Sequence, residues 1–437
     1  MDTTPFRKFI VKLNNGKDVS KENYVSFNES DIIYPTVNNF KNSELVLNSV
    51  TFIDDDWLEE NSSTLVTDDV IISRSGTVGI TFVWNEDEIN RIFKRNITAV
   101  PSGYLIVVQI DKDRLLPQFV KYYFSTELMK KYFSVFGVGK SQKNIAQPEI
   151  LSIPIPNLSI ENQRKIVEKI SPINIEIQQL KSQIKPDAEI INNVFAKAFN
   201  LNLDEISSSR QEFVYNQKFS QLSVSKDFRS AVKFNSSKYN FLKLPIFNEY
   251  KIGEFTNFMT LGRQITPEDF EEENDYYYLL PNCIKNFYLE EDLLRPISDT
   301  FYNTYKHIAL KRNDIVLAAS GEGTIGKSAI FNSDKDCVLS QFTMKIELNE
   351  KIDLNYFHYY LQSIFFQLTV EKFKKGMGNM TNIFVSQVTK FPILFNPNSQ
   401  EEIVNMIKTE IDKQLEFDKK IKDKKEEINR LINDSIN

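Results

Sequence analysis

Only two cysteines, Cys283 and Cys337, and two histidines, His307 and His358, occur in 437 residues. Two thiols exclude a disulfide framework and suit a reducing compartment. With so few thiols and imidazoles, a zinc cluster of the usual ligands is not expected. No apolar run reaches transmembrane length. The opening MDTTPFRKFIVKLNNG lacks the basic start and apolar stretch of a secretory signal. A soluble, cytoplasmic protein with no membrane partner is the expectation. Also missing are an Asn/Asp-Pro-Pro-aromatic methyltransferase motif and a glycine-rich cofactor motif after a strand. No cofactor is therefore expected in this chain. An excess of positive charge is lacking too: 53 Lys and Arg against 59 Asp and Glu leave −6. That total argues mildly against nucleic acid. Yet acid is concentrated at 268–275 and in Asp54, Asp55, Asp56, Glu59 and Glu60, and elsewhere the sign reverses. Local patches decide binding, so the total does not exclude it. The length predicts about two to three domains.

SGEGTIGKS (320–328) fits the phosphate-loop pattern, with Gly321, Gly326, Lys327 and Ser328 in the required places. Such a loop needs a buried strand before it and a helix after it, whose N-terminus cradles phosphate. DIVLAAS before it reads as a strand. After it, Asn332, Ser333 and Asp334 come within a turn, and then Phe342, Met344, Ile346 and Leu348 alternate as in a strand. A glycine-containing turn between two strands is expected, not a nucleotide site.

The chain is written twice. DDVIISRSGTVGITFVWN (68–85) lies against NDIVLAASGEGTIGKSAIFN (313–332). Gly76-Thr77-Val78-Gly79 is matched to Gly323-Thr324-Ile325-Gly326, which puts Arg74 against Gly321 and Ile80 against Lys327. The lysine of the apparent phosphate loop is thus not shared by its sister. Further on, Tyr122-Tyr123 match Tyr359-Tyr360, Gly137-x-Gly139 matches Gly376-x-Gly378, Asn144-Ile145 match Asn382-Ile383, and Ile153-Pro154 match Phe391-Pro392. FIVKLNNGKDVS is a weaker match to EFTNFMTLGRQIT. Each copy reads as strands around the Gly-Thr-x-Gly turn, a helix, a glycine loop and a closing strand. The helix of the first copy carries Phe119, Tyr122, Tyr123, Met129 and Phe133 at helical spacing, a pattern that reads as core.

A helical arm comes after each copy. Ile166, Ile170, Ile173, Ile177, Leu180 and Ile184 alternate four and three apart, and so do most of Val404, Ile407, Ile411, Ile421, Ile428 and Ile432. Pro172 is expected to end one helix and start another.

This order resembles the DNA-specificity subunit of type I restriction–modification enzymes. The residues that carry the resemblance are the Gly-Thr-x-Gly turn, the glycine loop with Asn-Ile after it, IPIPNL, and the helix starts Gln163-Arg164-Lys165-Ile166 and Gln400-Glu401-Glu402-Ile403. It implies an α+β fold: two repeated α/β target-recognition domains joined by two long helices packed as an antiparallel coiled coil. The parts would be 1–157 and 211–396 for recognition, 158–210 and 397–437 for the spacers. Each recognition domain would read one half of a bipartite site in double-stranded DNA, and the helices would dock two methyltransferase subunits. S-adenosylmethionine would bind in those partners, and ATP and magnesium in a motor-nuclease restriction subunit that can join them. This chain itself would be non-catalytic.

From Leu128 to Pro148 and from Lys372 to Lys390 there are lysines and no acid. Lysines there would neutralise phosphates, and amides and hydroxyls would read base edges. The expected DNA-contacting residues are Lys140, Ser141, Gln142, Lys143 and Asn144 in the first copy and Lys374, Lys375, Asn379, Thr381 and Asn382 in the second. Arg74, Ser75, Ser320 and Lys327 at the turns complete the set. Alternatives are a related methylation-only or type II-like system, a phosphate-loop NTPase, and a scaffold that binds only protein.

Overall fold

A computed structural model describes residues 2–41, 44–46, 50–61, 64–139, 143–207, 236–376 and 381–436. Two compact units divide the chain: Met1–Gln183 with Phe417–Asn437, and Ile184–Glu416. Both boundaries fall inside the arms, so each unit carries its own share of helix.

In the first unit the strands are β1 (Thr3–Pro5), β2 (Ile10–Asn15), β3 (Tyr24–Val25), β4 (Ile32–Tyr34), β5 (Phe40–Lys41), β6 (Glu44–Leu45), β7 (Thr51–Ile53), β8 (Val70–Ser73), β9 (Thr81–Val83), β10 (Thr98–Ala99), β11 (Leu105–Ile110) and β12 (Pro154–Pro156). An antiparallel sheet runs β2-β11-β8-β9. A smaller sheet runs β10-β4-β7-β3, with β10 parallel to β4. VIIS in β8 is buried throughout because both faces of the sheet are covered. Alternation along the strand sends Ile71, Leu105 and Val107 towards Ile33, Phe52 and Ala99 of the smaller sheet. The helices are α1 (Asp55–Asn61), α2 (Glu86–Phe93), α3 (Pro117–Phe124), α4 (Glu127–Phe136), α5 (Gln147–Leu151) and α6 (Ile160–Gln183). As the helical spacing predicts, Phe119, Tyr122, Tyr123, Met129 and Phe133 are all buried.

The second unit repeats this plan. It has α7 (Asp187–Ala198), α8 (Leu203–Ser207), β13 (Thr256–Leu261), β14 (Tyr276–Leu279), β15 (Arg295–Pro296), α9 (Asp299–Tyr305), β16 (Ile315–Ala318), β17 (Ser328–Ile330), β18 (Asp336–Leu339), β19 (Thr343–Leu348), α10 (Leu354–Gln362), α11 (Ile364–Phe373), α12 (Val385–Val388) and most of the first half of α13 (Gln400–Ile436). The antiparallel sheet runs β13-β19-β16-β17 and the smaller one β15-β14-β18, with β14 parallel to β18. The Tyr123 hydroxyl donates to the Pro154 carbonyl at 2.9 Å, and the Tyr360 hydroxyl to that of Pro392 at 2.8 Å. The two matched tyrosines thus tie the aromatic helix to the closing strand in each copy.

The Gln-x-x-Ile helix starts have a structural task. The Gln163 Oε1 accepts the Leu116 N–H at 2.8 Å, and its Nε2 donates to the Arg114 and Leu158 carbonyls at 3.0 Å each. In the second copy, the Gln400 Oε1 accepts the Asp353 N–H at 2.8 Å. Each glutamine fastens the arm to the loop that opens the aromatic helix.

One expectation fails here. The helix does not restart at Pro172: α6 runs through it. The proline ring removes one N–H and lies on the exposed side, where water can reach the carbonyl left without a partner. The true break comes at 184–186, before α7. There the Lys185 N–H is satisfied by the Gln414 Oε1 at 2.9 Å, inside the second unit. In the first unit Lys424 of α13 pairs with Glu176 of α6. In each unit the arm helix lies beside the part of α13 that belongs to it. Ile166, Ile170, Ile173 and Ile177, and Val404, Ile407, Ile421, Ile428 and Ile432, are buried as the seam pattern requires.

Candidate nucleic-acid interface

The Gly-Thr turns join β8 to β9 and β16 to β17, so each is a strand–turn–strand. SGEGTIGK leads directly into β17 rather than into a helix, and the phosphate-loop reading falls with it. Ser328 is fully buried and takes hydrogen bonds from the Gln362 Nε2, at 2.9 Å on its hydroxyl and 2.9 Å on its carbonyl. It has no freedom to serve a nucleotide's magnesium. The last glycine of each turn is needed for packing. A Cβ on Gly79 would stand 2.3 Å from the Phe133 ring, and one on Gly326 would stand 2.9 Å from the Gln367 side chain; both have positive φ.

The glycine loop folds back on this turn in both units. Ser75 bridges Asn144, and Asn144 bridges Val138; Ser320 bridges Asn382, and Asn382 bridges Lys375. The Gly76 N–H donates to the Lys143 carbonyl at 2.9 Å and the Ile145 N–H to that of Arg74 at 2.9 Å. Likewise the Gly321 N–H donates to the Thr381 carbonyl at 3.2 Å and the Ile383 N–H to that of Ala319 at 2.9 Å. Segments some sixty to seventy residues apart therefore meet at one junction, twice.

These bonds correct the internal alignment. Ser75-Gly76 is equivalent to Ser320-Gly321, and Arg74 to Ala319 rather than to Gly321. The second turn is longer by Glu322-Gly323, after which Gly79 and Gly326 come back into step. Val138 is equivalent to Lys375, and Gly139 (φ 135°) to Gly376 (φ 111°), not to Gly378.

Of the expected contact residues, the structure brings Arg74, Ser75, Lys143 and Asn144 to the first junction, and Ser320, Lys375, Thr381 and Asn382 to the second. Lys143 and Lys375 are exposed; Arg74, Ser320, Lys327, Lys374 and Asn382 are half-buried. The Ser75 and Thr381 side chains are buried. Lys140, Ser141, Gln142 and Asn379 lie outside the described residues. Asn144 and Asn382 recur because each pairs its backbone in two directions at once.

Sequence reasoning missed two aromatics on this surface. The Arg74 N–H donates to the Tyr104 carbonyl at 3.0 Å, and the Ala319 N–H to that of Phe342 at 2.9 Å. Tyr104 and Phe342 are equivalent, and they are 51% and 43% exposed. The signal was present in the match of YLIVVQI with FTMKIEL, but alternation placed Phe342 on the same side as buried Met344. The units also differ in character. Val135 and Val138 are each 75% exposed where the second unit has Lys372 and Lys375.

A family model for the type I restriction modification DNA specificity domain matches the chain twice, over residues 10–188 and 247–428. The chain belongs to this family. Each matched stretch of the specificity subunit contains one globular part and helix from an arm. No curated protein matches it. A chain from a solved structure concerned with complex assembly and conformational transition of the type I restriction–modification system is 11% identical, with a TM-score of 0.52. That match covers 100% of this chain and 96% of the other, and it is a likeness of fold. The S subunit of a type I system from M. genitalium is 12% identical over 98% of this chain and 94% of its own, at a TM-score of 0.43. The HsdS subunit from Thermoanaerobacter tengcongensis is 10% identical over 100% and 96%, at 0.36. As a specificity subunit, the protein is the DNA-recognition component of a type I restriction–modification system and assembles with other subunits of it. Among the described residues, no helix is long and apolar enough to cross a membrane.

Proposed function

We propose that each unit reads one half of a bipartite duplex target through the surface around its turn–loop junction. The observation that carries this is the junction itself, built by the same backbone bonds in both units on different side chains. Different side chains on one scaffold ask for half-sites of different sequence. Exposed Lys143 and Lys375 supply sequence-independent attraction to phosphates, and amide and hydroxyl groups beside them supply base reading. The arms, each pinned to its domain by Gln163 or Gln400, dock two methyltransferase subunits that bind S-adenosylmethionine and modify adenine. A motor-nuclease subunit using ATP and magnesium joins the same complex when the system restricts.

The test is modification-sensitive sequencing of a genome in cells expressing this chain with the methyltransferase encoded beside it. The expected result is a bipartite methylated motif that disappears when only this chain is omitted. An assembled complex that leaves no motif would overturn the reading.

A further inference from the structure

The second unit has a cavity of about 470 Å³ beside its junction. Its lining includes Lys243, Lys251, Lys372, Lys375, Lys390 and Gln387, and no carboxylate. The five ammonium groups come from five separate segments: two loops before β13, the end of α11, the glycine loop, and the residues after α12. The acceptors seen for two of them are neutral. The Lys251 Nζ donates to the Phe247 carbonyl at 2.9 Å, and the Lys243 Nζ to the Asn240 Oδ1 at 2.8 Å. The Lys372 Nζ lies 5.5 Å over the Tyr239 ring and 5.6 Å over that of Phe373. Burial, and then the charge of Lys243, hold its pKa below the ordinary lysine value. Gathering like charges in one cavity costs free energy that an anion recovers.

We propose that this cavity binds a backbone phosphate of the DNA strand that runs over the second junction. The source is argued from place: Lys375 lines the cavity and also forms the bridge to Asn382. The first unit has no such site in the equivalent segment, where Val135 and Val138 stand for Lys372 and Lys375. The phosphate clamp is therefore a property of one half-site only. This inference rests on the DNA-recognition reading above.

The test uses the assembled complex with full-length chain, comparing wild type with K243Q/K390Q. Both lysines are exposed, and K243R/K390R keeps their charge. Duplexes carry one neutral methylphosphonate at successive positions. The expected result is one position, in the half-site read by the second unit, whose several-fold affinity loss in wild type vanishes in K243Q/K390Q and returns in K243R/K390R. The salt slope of the Gln variant falls by about one to two. Losses that simply add at every position would overturn the clamp. Should the wild-type complex bind no DNA, the recognition reading itself fails, and inorganic phosphate decides what is left. A thermal upshift in wild type absent from K243Q/K390Q would replace the DNA strand with a free phosphate ligand. No upshift would overturn the site altogether.

Discussion

At His358 the second unit encloses an imidazole whose Nε2 lies 3.2 Å from the Ser328 carbonyl and 3.1 Å from the Gln362 Nε2. Burial pushes its pKa down to about 4 from 6.5, and the Ser328 carbonyl opposes this only in part. The unfolded chain therefore binds a proton between these values that the folded one refuses. Stability is complete above pH 6.5, falls as the pH drops towards 4, and levels off below. The loss is about 3 kcal/mol from this group. H358Q should flatten that limb in acid-unfolding midpoints measured from pH 7 to 4; an unchanged slope would assign it elsewhere. Tyr104 and Phe342 make a second prediction at this scale. Each Tyr104→Ala or Phe342→Ala change should weaken DNA binding by about 1–3 kcal/mol, as for an aromatic against bases, and leave the melting temperature unchanged. Both residues are surface-exposed, so a melting shift without a binding loss would make them packing groups.

Among elements, the turns and their glycines separate what the sequence showed from what it hid. Strand–turn–strand was readable in SGEGTIGKS because Asn332, Ser333 and Asp334 leave no room for a helix. The register was not readable, since a Gly-Thr-x-Gly string occurs in both copies and nothing in it says which glycine takes a positive φ. Only the bonds from Gly76 to Lys143 and from Gly321 to Thr381 reveal that Glu322-Gly323 are additional. Pro172 misled for a related reason: a proline breaks a helix by local rules, and burial of Ile170, Ile173 and Ile177 overrides them. Gly16 and Gly262, from the weaker match, prove equivalent. A Cβ there would stand 2.0 Å from the Ser102 carbonyl oxygen and 1.9 Å from that of Leu339. Gly262→Ala must push two backbone segments apart and should destabilise the second unit by more than about 2 kcal/mol, read as an earlier transition in denaturant melts.

For the whole molecule, duplication was the feature most legible in the sequence. Spacing survives divergence when the same core must be rebuilt, as Tyr123 and Tyr360 show. The surfaces were less legible because charge near a loop does not reveal which side chains end up enclosed, as Ser75 and Thr381 do. The consequence for recognition is separability. Exchanging 139–144 for the loop at 376–382 should change one half of the methylated motif and leave the other half and its spacing untouched, as read by the same sequencing. A change in both halves would show that the units do not read independently.

β1 lies against β12, and Lys251 bridges Pro392, so each globular part begins and ends at one place. A domain whose ends meet can be cut out, replaced or re-entered without asking its neighbours to move. Heredity can then treat it as a cartridge. Recombination at these two seams would hand a bacterium a new address to protect in a single event, while the machinery that does the protecting stays unaltered.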